Sequence, residues 1–190
     1  MLSRHFQVIG VDSRMQGRSG GDPSSLSYGQ MAADVEELLK FLKAPPALIL
    51  GFSDGGIVGL LLAIRAPDRV RALAVSGANI QQDEAAIPTE GLEQMRSVVE
   101  DPASSAQEKA LYRLMLDEPN LSFEQLTQGV RCPALIMAGD RDFIKIDHTV
   151  KIFQAIPGAE LAIFPQSDHF FFADKPEPFN QMVVEFFLRH

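Results

Sequence analysis

The sequence predicts an α/β fold in which a mostly parallel sheet lies between two layers of helices. Short runs without any polar residue recur along the chain, such as residues 47–50 and 134–137. Strands that are buried on both faces have this composition and belong to parallel sheets. Helix-like segments alternate with these runs, which implies right-handed crossovers and a three-layer α/β/α sandwich. At 190 residues, the chain is long enough for one domain, residues 1–190.

The elements follow from apolar spacing and from helix-breaking residues. In the first helix, Met31, Val35 and Leu38 form one apolar stripe, and Pro45 and Pro46 end it. A Gly/Ser-rich loop precedes this helix. The predicted strands are residues 6–12, 47–50, 72–75, 134–137 and 161–164, and the predicted helices are residues 31–42, 57–64, 149–156 and 178–187.

Residues 79–131 interrupt this alternation between the third and fourth predicted strands. The segment is polar and mostly helical in pattern. We expect a small helical lid that lies over the strand ends, because loops at that place often carry function. The alternative is a surface pair of helices with no role in binding.

Composition excludes several classes of protein. Seventeen Lys and Arg against 25 Asp and Glu give a net charge of −8, which leaves no basic face for nucleic acid and no attraction to an anionic membrane. A single cysteine, Cys132, excludes an internal disulfide and fits a reducing compartment. No apolar run has the length of a membrane-spanning helix, and residues 1–5 lack the apolar stretch of a signal peptide. We therefore expect a soluble cytoplasmic protein.

One short motif between a buried strand and a buried helix points to nucleophilic chemistry. Gly51, Ser53 and Gly55 match G-x-S-x-G, which raises a serine on a sharp strand-to-helix turn with small residues where the chain passes close to itself. The following helix directs its N-terminus at Ser53, which favours negative charge there. The backbone N–H of Asp54 would donate to a developing oxyanion.

Two other interpretations of this glycine-rich turn stay open from the motif alone. One is an ordinary turn without chemistry. The other is a dinucleotide-binding turn, which requires G-x-G-x-x-G. The nearest frame begins at Asp54 instead of the first glycine, and a carboxylate there would repel a pyrophosphate.

An activated serine needs a base, and that base needs an orienting acid. His169 follows the fifth predicted strand, and Asp140 and Asp142 follow the fourth. The carboxyl ends of parallel strands share one edge of a sheet, so these side chains should lie near Ser53. An Asx turn at the two aspartates and a structural histidine are the alternatives. His148 stands at a predicted helix start, where we expect it to cap the helix.

These residues together resemble the α/β-hydrolase superfamily, specifically the α/β hydrolase-1 family with a serine nucleophile. The resemblance covers nearly the whole chain. Residues 12–19 are similar to the family's D-x-R-G-x-G-x-S turn, with Met15 at a glycine position, and residues 51–56 match its nucleophile turn. Residues 139–142 are similar to its G-x-x-D acid loop. Residues 66–70 match its usual helix ending, and residues 168–169 match its histidine loop. The resemblance implies that Asp142 is the triad acid. A serine nucleophile also argues against dehalogenation.

The family carries strands, a helix and a His-Gly loop before the D-x-R turn, and that loop donates the other oxyanion N–H. This sequence begins at the strand that precedes the turn, so the resemblance implies an N-terminally truncated fold and weak activity. We expect residues 6–12 to move across and pair directly with residues 47–50. Otherwise the unpaired sheet edge would favour self-association.

The resulting prediction is a serine hydrolase that cleaves a small ester or related acyl compound. Ser53 attacks, His169 transfers the proton, and Asp142 orients the imidazole. Phe52 and Phe170 lie close by in sequence and are predicted to line an apolar or aromatic substrate site. No cofactor or metal is implied, and the expected partner is a small-molecule acyl substrate. Two alternatives stay open: a non-catalytic or degenerate protein of this fold, and a cofactor-free perhydrolase-like enzyme.

Overall fold

A computed structural model describes all residues, 1–190, and contains one sheet of four parallel strands. The strands are β1 (Ala47–Phe52), β2 (Val70–Ser76), β3 (Ala134–Gly139) and β4 (Glu160–Phe164). They are ordered β1-β2-β3-β4 across the sheet. The predicted α/β class with a parallel sheet is confirmed.

Eight α-helices accompany the sheet, and the four helices predicted from apolar spacing are among them. In chain order they are α1 (Tyr28–Phe41), α2 (Asp54–Arg65), α3 (Thr89–Glu100), α4 (Ala106–Asp117), α5 (Phe123–Gly129), α6 (Ile146–Ala155), α7 (Phe171–Asp174) and α8 (Pro176–Arg189). None of these helices is both long enough and apolar enough to cross a membrane.

The side chains of β2 show how the two helical layers are held. Because successive side chains of a strand point to opposite faces, Leu73 and Val75 pack with α1, α2, α5 and α6 in the larger core. Ala72 and Ala74 face the other way and pack with the phenylalanines of α7 and α8. The central strands are therefore buried on both faces, as their apolar composition predicts.

The predicted first strand, residues 6–12, is wrong. This segment pairs with no strand, and Val8, Ile9 and Val11 are exposed. Strand propensity expresses the fit to neighbouring strands more than an intrinsic backbone preference, and this run has no hydrogen-bonded strand beside it. The expected direct pairing with residues 47–50 is also wrong, because β1 pairs only with β2.

β1 is accordingly an edge strand. Residues 47–50 are only half-buried, whereas their wholly apolar sequence predicted burial on both faces. An apolar run indicates a buried strand only when neighbours cover both of its sides. One row of β1 backbone donors and acceptors lies outside the sheet ladder.

The segment between β2 and β3 contains α3, α4 and α5. Helices α3 and α4 pack on each other around Leu92 and Met95, and this small cluster also includes Ile144. Helix α5 instead joins the main core through Leu126 and packs against α2 and α6. That residues 79–131 act as a lid stays a prediction.

Candidate active site

Ser53 occupies a strained turn between β1 and α2. Its backbone has φ 50° and ψ −118°, a conformation that L-residues rarely adopt and that occurs at functional sites. The Ser53 N–H donates to the Ser76 carbonyl at 2.8 Å, which ties the turn to β2. A Cβ at Gly51 would overlap the Gly55 carbonyl, so the approach to the turn requires glycine.

The steric requirement at Gly55 differs from the sequence-based expectation. A Cβ at Gly55 would meet no atom within 4 Å, because it is the Gly55 backbone that approaches Gly51. Crowding occurs at Gly56 instead, where a Cβ would lie 2.9 Å from Ala78 and 3.0 Å from Val75. Of the two glycines in the motif, only Gly51 is therefore required because a larger side chain would not fit.

The structure brings Ser53, His169 and Asp142 into one chain of hydrogen bonds. His169 Nε2 lies 3.1 Å from Ser53 Oγ, and His169 Nδ1 lies 2.7 Å from Asp142 Oδ1. A carboxylate can only accept, so Nδ1 carries the proton and Nε2 is free to accept from the serine hydroxyl. The Asp142 side chain is fully buried, and Oδ1 also accepts from the Ile144 N–H at 2.8 Å.

Asp140 lies on the same loop but serves a different contact. Its carboxylate accepts from the Ser167 N–H at 3.0 Å. Hydrogen bonds from Ser167 and Gln166 lower the pKa of this carboxyl. Asp140 therefore holds the loop that carries His169, whereas Asp142 contacts the imidazole itself.

The two loops after β3 and β4 are joined over several residues. The Arg141 N–H donates to the Ser167 carbonyl at 2.9 Å, and the Asp140 N–H donates to the Phe164 carbonyl at 3.1 Å. Gly139 lies so close to Ser167 that a Cβ there would overlap the Ser167 carbonyl. The loop that carries Asp142 and the loop that carries His169 are thus hydrogen-bonded to each other.

The backbone amide and the side-chain carboxylate of Asp54, the first residue of α2, make different contacts. Its amide is among the first four of the helix, which have no intrahelical acceptor. Its half-buried carboxylate accepts from the Tyr28 hydroxyl at 2.6 Å. Burial raises the pKa of Asp54, and the Tyr28 hydrogen bond opposes that rise. Sequence reasoning missed Tyr28, because a contact across 26 residues leaves no local signal.

Phenylalanines surround the imidazole. The Phe52 ring centroid lies 4.8 Å from that of His169, and the Phe170 centroid lies 5.5 Å from it. Phe170 is 56% exposed, so it borders the open side. Two further rings were not anticipated: Phe143 lies 6.0 Å from His169, and Phe172 lies 4.6 Å from Phe52. In the sequence, Phe143 directly follows Asp142 and Phe172 lies three residues after His169, and this proximity was the signal that could have indicated them.

His148 does not cap α6, which corrects the sequence-based expectation. Its ring is buried, and Nε2 accepts from the Ile80 N–H at 3.1 Å. Burial lowers the pKa of His148 to about 4. The imidazole therefore supports the start of the segment that leads to α3 and takes no part in the site.

The turn at residues 12–19 forms with methionine at the usual glycine position. Met15 adopts φ 60°, the left-handed conformation that favours glycine, and its side chain is buried. The Met15 carbonyl accepts from Gln107 at 2.6 Å. Arg14 forms two 2.7 Å hydrogen bonds with Asp34, which fix the turn on α1.

No three His, Cys, Asp or Glu side chains are grouped as ligands for a metal ion.

Residues 1–104, more than half of the chain, match a protein-family model described as alpha/beta hydrolase fold. The chain belongs to this family.

Curated relatives of this α/β hydrolase are distant but span almost all of it. The sn-1-specific diacylglycerol lipase ABHD11 of Mus musculus is 26% identical, over 95% of this chain and 71% of its own length. Serine hydrolase BPHL of Homo sapiens is 28% identical, over 95% of this chain and 69% of its own length.

Solved structures show the same fold. A hydrolase from Pseudomonas aeruginosa PA01 superposes with a TM-score of 0.83 at 24% identity, and the match covers 98% of this chain and 81% of that one. The family model and the relatives together establish that the chain is a hydrolase of the α/β-hydrolase type.

Proposed function

We propose that this hydrolase cleaves small carboxylic esters, or related acyl compounds, through a covalent acyl intermediate on Ser53. The observation that carries the proposal is the hydrogen-bond chain from Ser53 Oγ through His169 to Asp142. A nucleophile within reach of a base, itself oriented by a third group, is the arrangement that activates serine. One relative is named a lipase and another a serine hydrolase, which supports both the ester and the nucleophile.

In the first step, Ser53 Oγ attacks the acyl carbon while its proton passes to His169 Nε2. The C=O π electrons move onto oxygen and form a tetrahedral oxyanion. The intermediate collapses when the bond to the alcohol breaks, and the imidazolium returns the proton to the departing oxygen. Water then repeats the sequence on the acyl-enzyme, which releases the acid and restores Ser53.

Two groups stabilise the charges that form. The buried Asp142 carboxylate holds Nδ1–H at 2.7 Å, which fixes the tautomer and lowers the free energy of the imidazolium. The Asp54 N–H lies at the helix N-terminus directly after Ser53, where a donor can meet the oxyanion.

The residues around the imidazole favour an apolar or aromatic substituent on the substrate. The Phe52 and Phe170 ring centroids lie 4.8 Å and 5.5 Å from that of His169, and Phe170 is exposed to solvent. Aromatic rings bury a large apolar area and pair favourably with other rings. The prediction of a cytoplasmic location, based on the single cysteine, accompanies this proposal.

Covalent labelling tests the nucleophile directly. A fluorophosphonate probe should label the wild type, whereas Ser53→Ala should lose the label. Ser97→Ala is the matched control, because Ser97 is an exposed serine on α3 and its hydroxyl only donates to the Gln94 carbonyl. Equal labelling of the wild type and Ser53→Ala would refute the assignment.

Turnover tests the reaction. The wild type should hydrolyse short p-nitrophenyl esters, and His169→Ala should lose most of that rate, since general-base catalysis contributes about 10²–10⁴-fold. A burst of p-nitrophenol equal to the enzyme concentration would show that the acyl-enzyme accumulates. Unchanged hydrolysis in His169→Ala would contradict the proposed base.

A further inference from the structure

Gly77, the residue directly after β2, lies against the hydrogen-bonded pair of His169 and Asp142. We propose that Gly77 is a positioning residue for the proton transfer, because the pair occupies the space that a side chain at this position would fill. In this role Gly77 acts through the imidazole and not on the substrate. The inference rests on the proposed function, since it concerns the orientation of the base that serves Ser53.

Three distances define this space. A Cβ at Gly77 would lie 2.9 Å from Cε1 and 3.1 Å from Nδ1 of His169, and 3.3 Å from Oδ2 of Asp142. Carbon atoms pack favourably at about 3.5–4.0 Å, so an added methyl group would displace the ring by about half an ångström. The imidazole and the carboxylate therefore approach this backbone so closely only because residue 77 has no side chain.

The backbone around Gly77 is held in place from both neighbouring strands. Gly77 is buried and has φ 62°, in the left-handed region that residues with a side chain rarely adopt. Its N–H donates to the Met137 carbonyl of β3 at 2.9 Å. On the other side, the preceding Ser76 carbonyl accepts from the Ser53 N–H at 2.8 Å. The end of β2 therefore resists a shift away from the ring, and a larger residue would move the ring instead.

Few polar contacts fix the pair of side chains, so packing against Gly77 is important for their position. Both hydrogen bonds that Asp142 accepts, from His169 and from the Ile144 N–H, end on Oδ1. Oδ2, the oxygen next to Gly77, is buried without a hydrogen-bond partner in the protein. The 3.1 Å between His169 Nε2 and Ser53 Oγ is near the upper end of the range for a hydrogen bond. A displaced or rotated ring would therefore weaken this contact.

The first experiment is steady-state hydrolysis of a short p-nitrophenyl ester by Gly77→Ala. Its kcat should fall by about 10-fold, since a misplacement of about 1 Å can cost about 10²-fold. KM should change little, because acylation and deacylation both depend on His169. The rate is expressed per Ser53 that a fluorophosphonate labels at completion, so that unfolded protein does not lower it.

Gly158→Ala is the matched control for backbone strain. Gly158 also has a left-handed φ, 74°, but a Cβ there would meet no atom within 4 Å. The residue lies in the exposed loop between α6 and β4, away from the hydrogen bonds of the site. Its kcat per labelled serine should equal that of the wild type.

Thermal unfolding in a second background separates contact with the ring from backbone strain. With His169 present, Gly77→Ala should lower the unfolding temperature more than Gly158→Ala does. In His169→Ala, which lacks the ring, this excess should be largely lost, as expected for residues in direct contact. If Gly77→Ala alone does not fold, the double variant Gly77→Ala/His169→Ala should regain the fold.

Two results would overturn the inference. One is a kcat per labelled serine in Gly77→Ala that equals that of Gly158→Ala. The other is an equal loss of stability, or of folding, with and without the imidazole. Normal labelling and hydrolysis by the wild type would leave the proposed function intact in both cases. A wild type that neither labels nor hydrolyses the ester refutes the proposed function itself.

Discussion

The buried imidazole of His148 should make the protein lose stability in mild acid. Its Nε2 accepts from the Ile80 N–H at 3.1 Å, so the proton is on Nδ1, which is buried without a hydrogen-bond partner in the protein. Protonation would place a donor against the Ile80 donor inside the core. The neutral form is therefore the one that the folded state accommodates, and the pKa of His148 falls from 6.5 to about 4.

The sign and size of the effect follow from linkage. As the pH falls through 6.5, the unfolded chain binds a proton at this histidine that the folded chain excludes until about pH 4. Stability is therefore fully present above the unfolded value and decreases below it. Between about pH 8 and about pH 5, this one group should remove about 2 kcal/mol from the free energy of unfolding.

His148→Gln isolates the effect, because the glutamine oxygen can accept from the Ile80 N–H but does not titrate. The chain has no tryptophan, so urea unfolding should be followed by far-UV circular dichroism. Between about pH 8 and about pH 5, the free energy of unfolding of the wild type should decrease by about 2 kcal/mol more than that of His148→Gln. His5→Gln, which removes an exposed histidine, is the control and should parallel the wild type. Equal pH dependence in the wild type and His148→Gln would refute the reasoning.

Three other expectations can be checked with single measurements. Asp142→Asn should cut ester hydrolysis by up to about 10⁴-fold, whereas Asp140→Asn should cost far less, because only Asp142 contacts the imidazole; the reverse order in an ester assay would reassign the acid. Gly51→Ala should lower the thermal unfolding temperature sharply and Gly55→Ala should not, because only the Cβ at position 51 would overlap backbone atoms; equal decreases in the two variants would contradict this. The open edge of β1 should cause self-association that increases with concentration in sedimentation velocity, and a monomer throughout would count against it.

Sequence reasoning located the parallel sheet because its evidence was local. A wholly apolar run such as residues 134–137 has few alternatives to a buried strand, and the residues after each strand end share one edge of a parallel sheet. From that topological rule alone, Ser53, Asp142 and His169 are predicted to lie close together, and the hydrogen-bond distances agree. The choice of Asp142 over Asp140 came from the family resemblance instead.

The errors have a common physical origin, which is dependence on neighbours that the sequence pattern does not show. Residues 6–12 have strand-like composition, but a strand exists only with a hydrogen-bonded partner. His148 stands at a helix start, yet its role is set by Ile80 on a distant segment. The contact between Tyr28 and Asp54 likewise depends on how α1 packs against α2.

The joined loops after β3 and β4 have a mechanical consequence for the site. Since Asp140 and Arg141 are hydrogen-bonded to Ser167, thermal motion carries the acid and the base together as one body. Ser53 belongs to a different body, anchored at the far edge strand and at the start of α2. The separation that fluctuates most should therefore be the 3.1 Å between Ser53 Oγ and His169 Nε2. Breathing of the sheet would then interrupt proton transfer at the serine while the pairing of His169 with Asp142 persists.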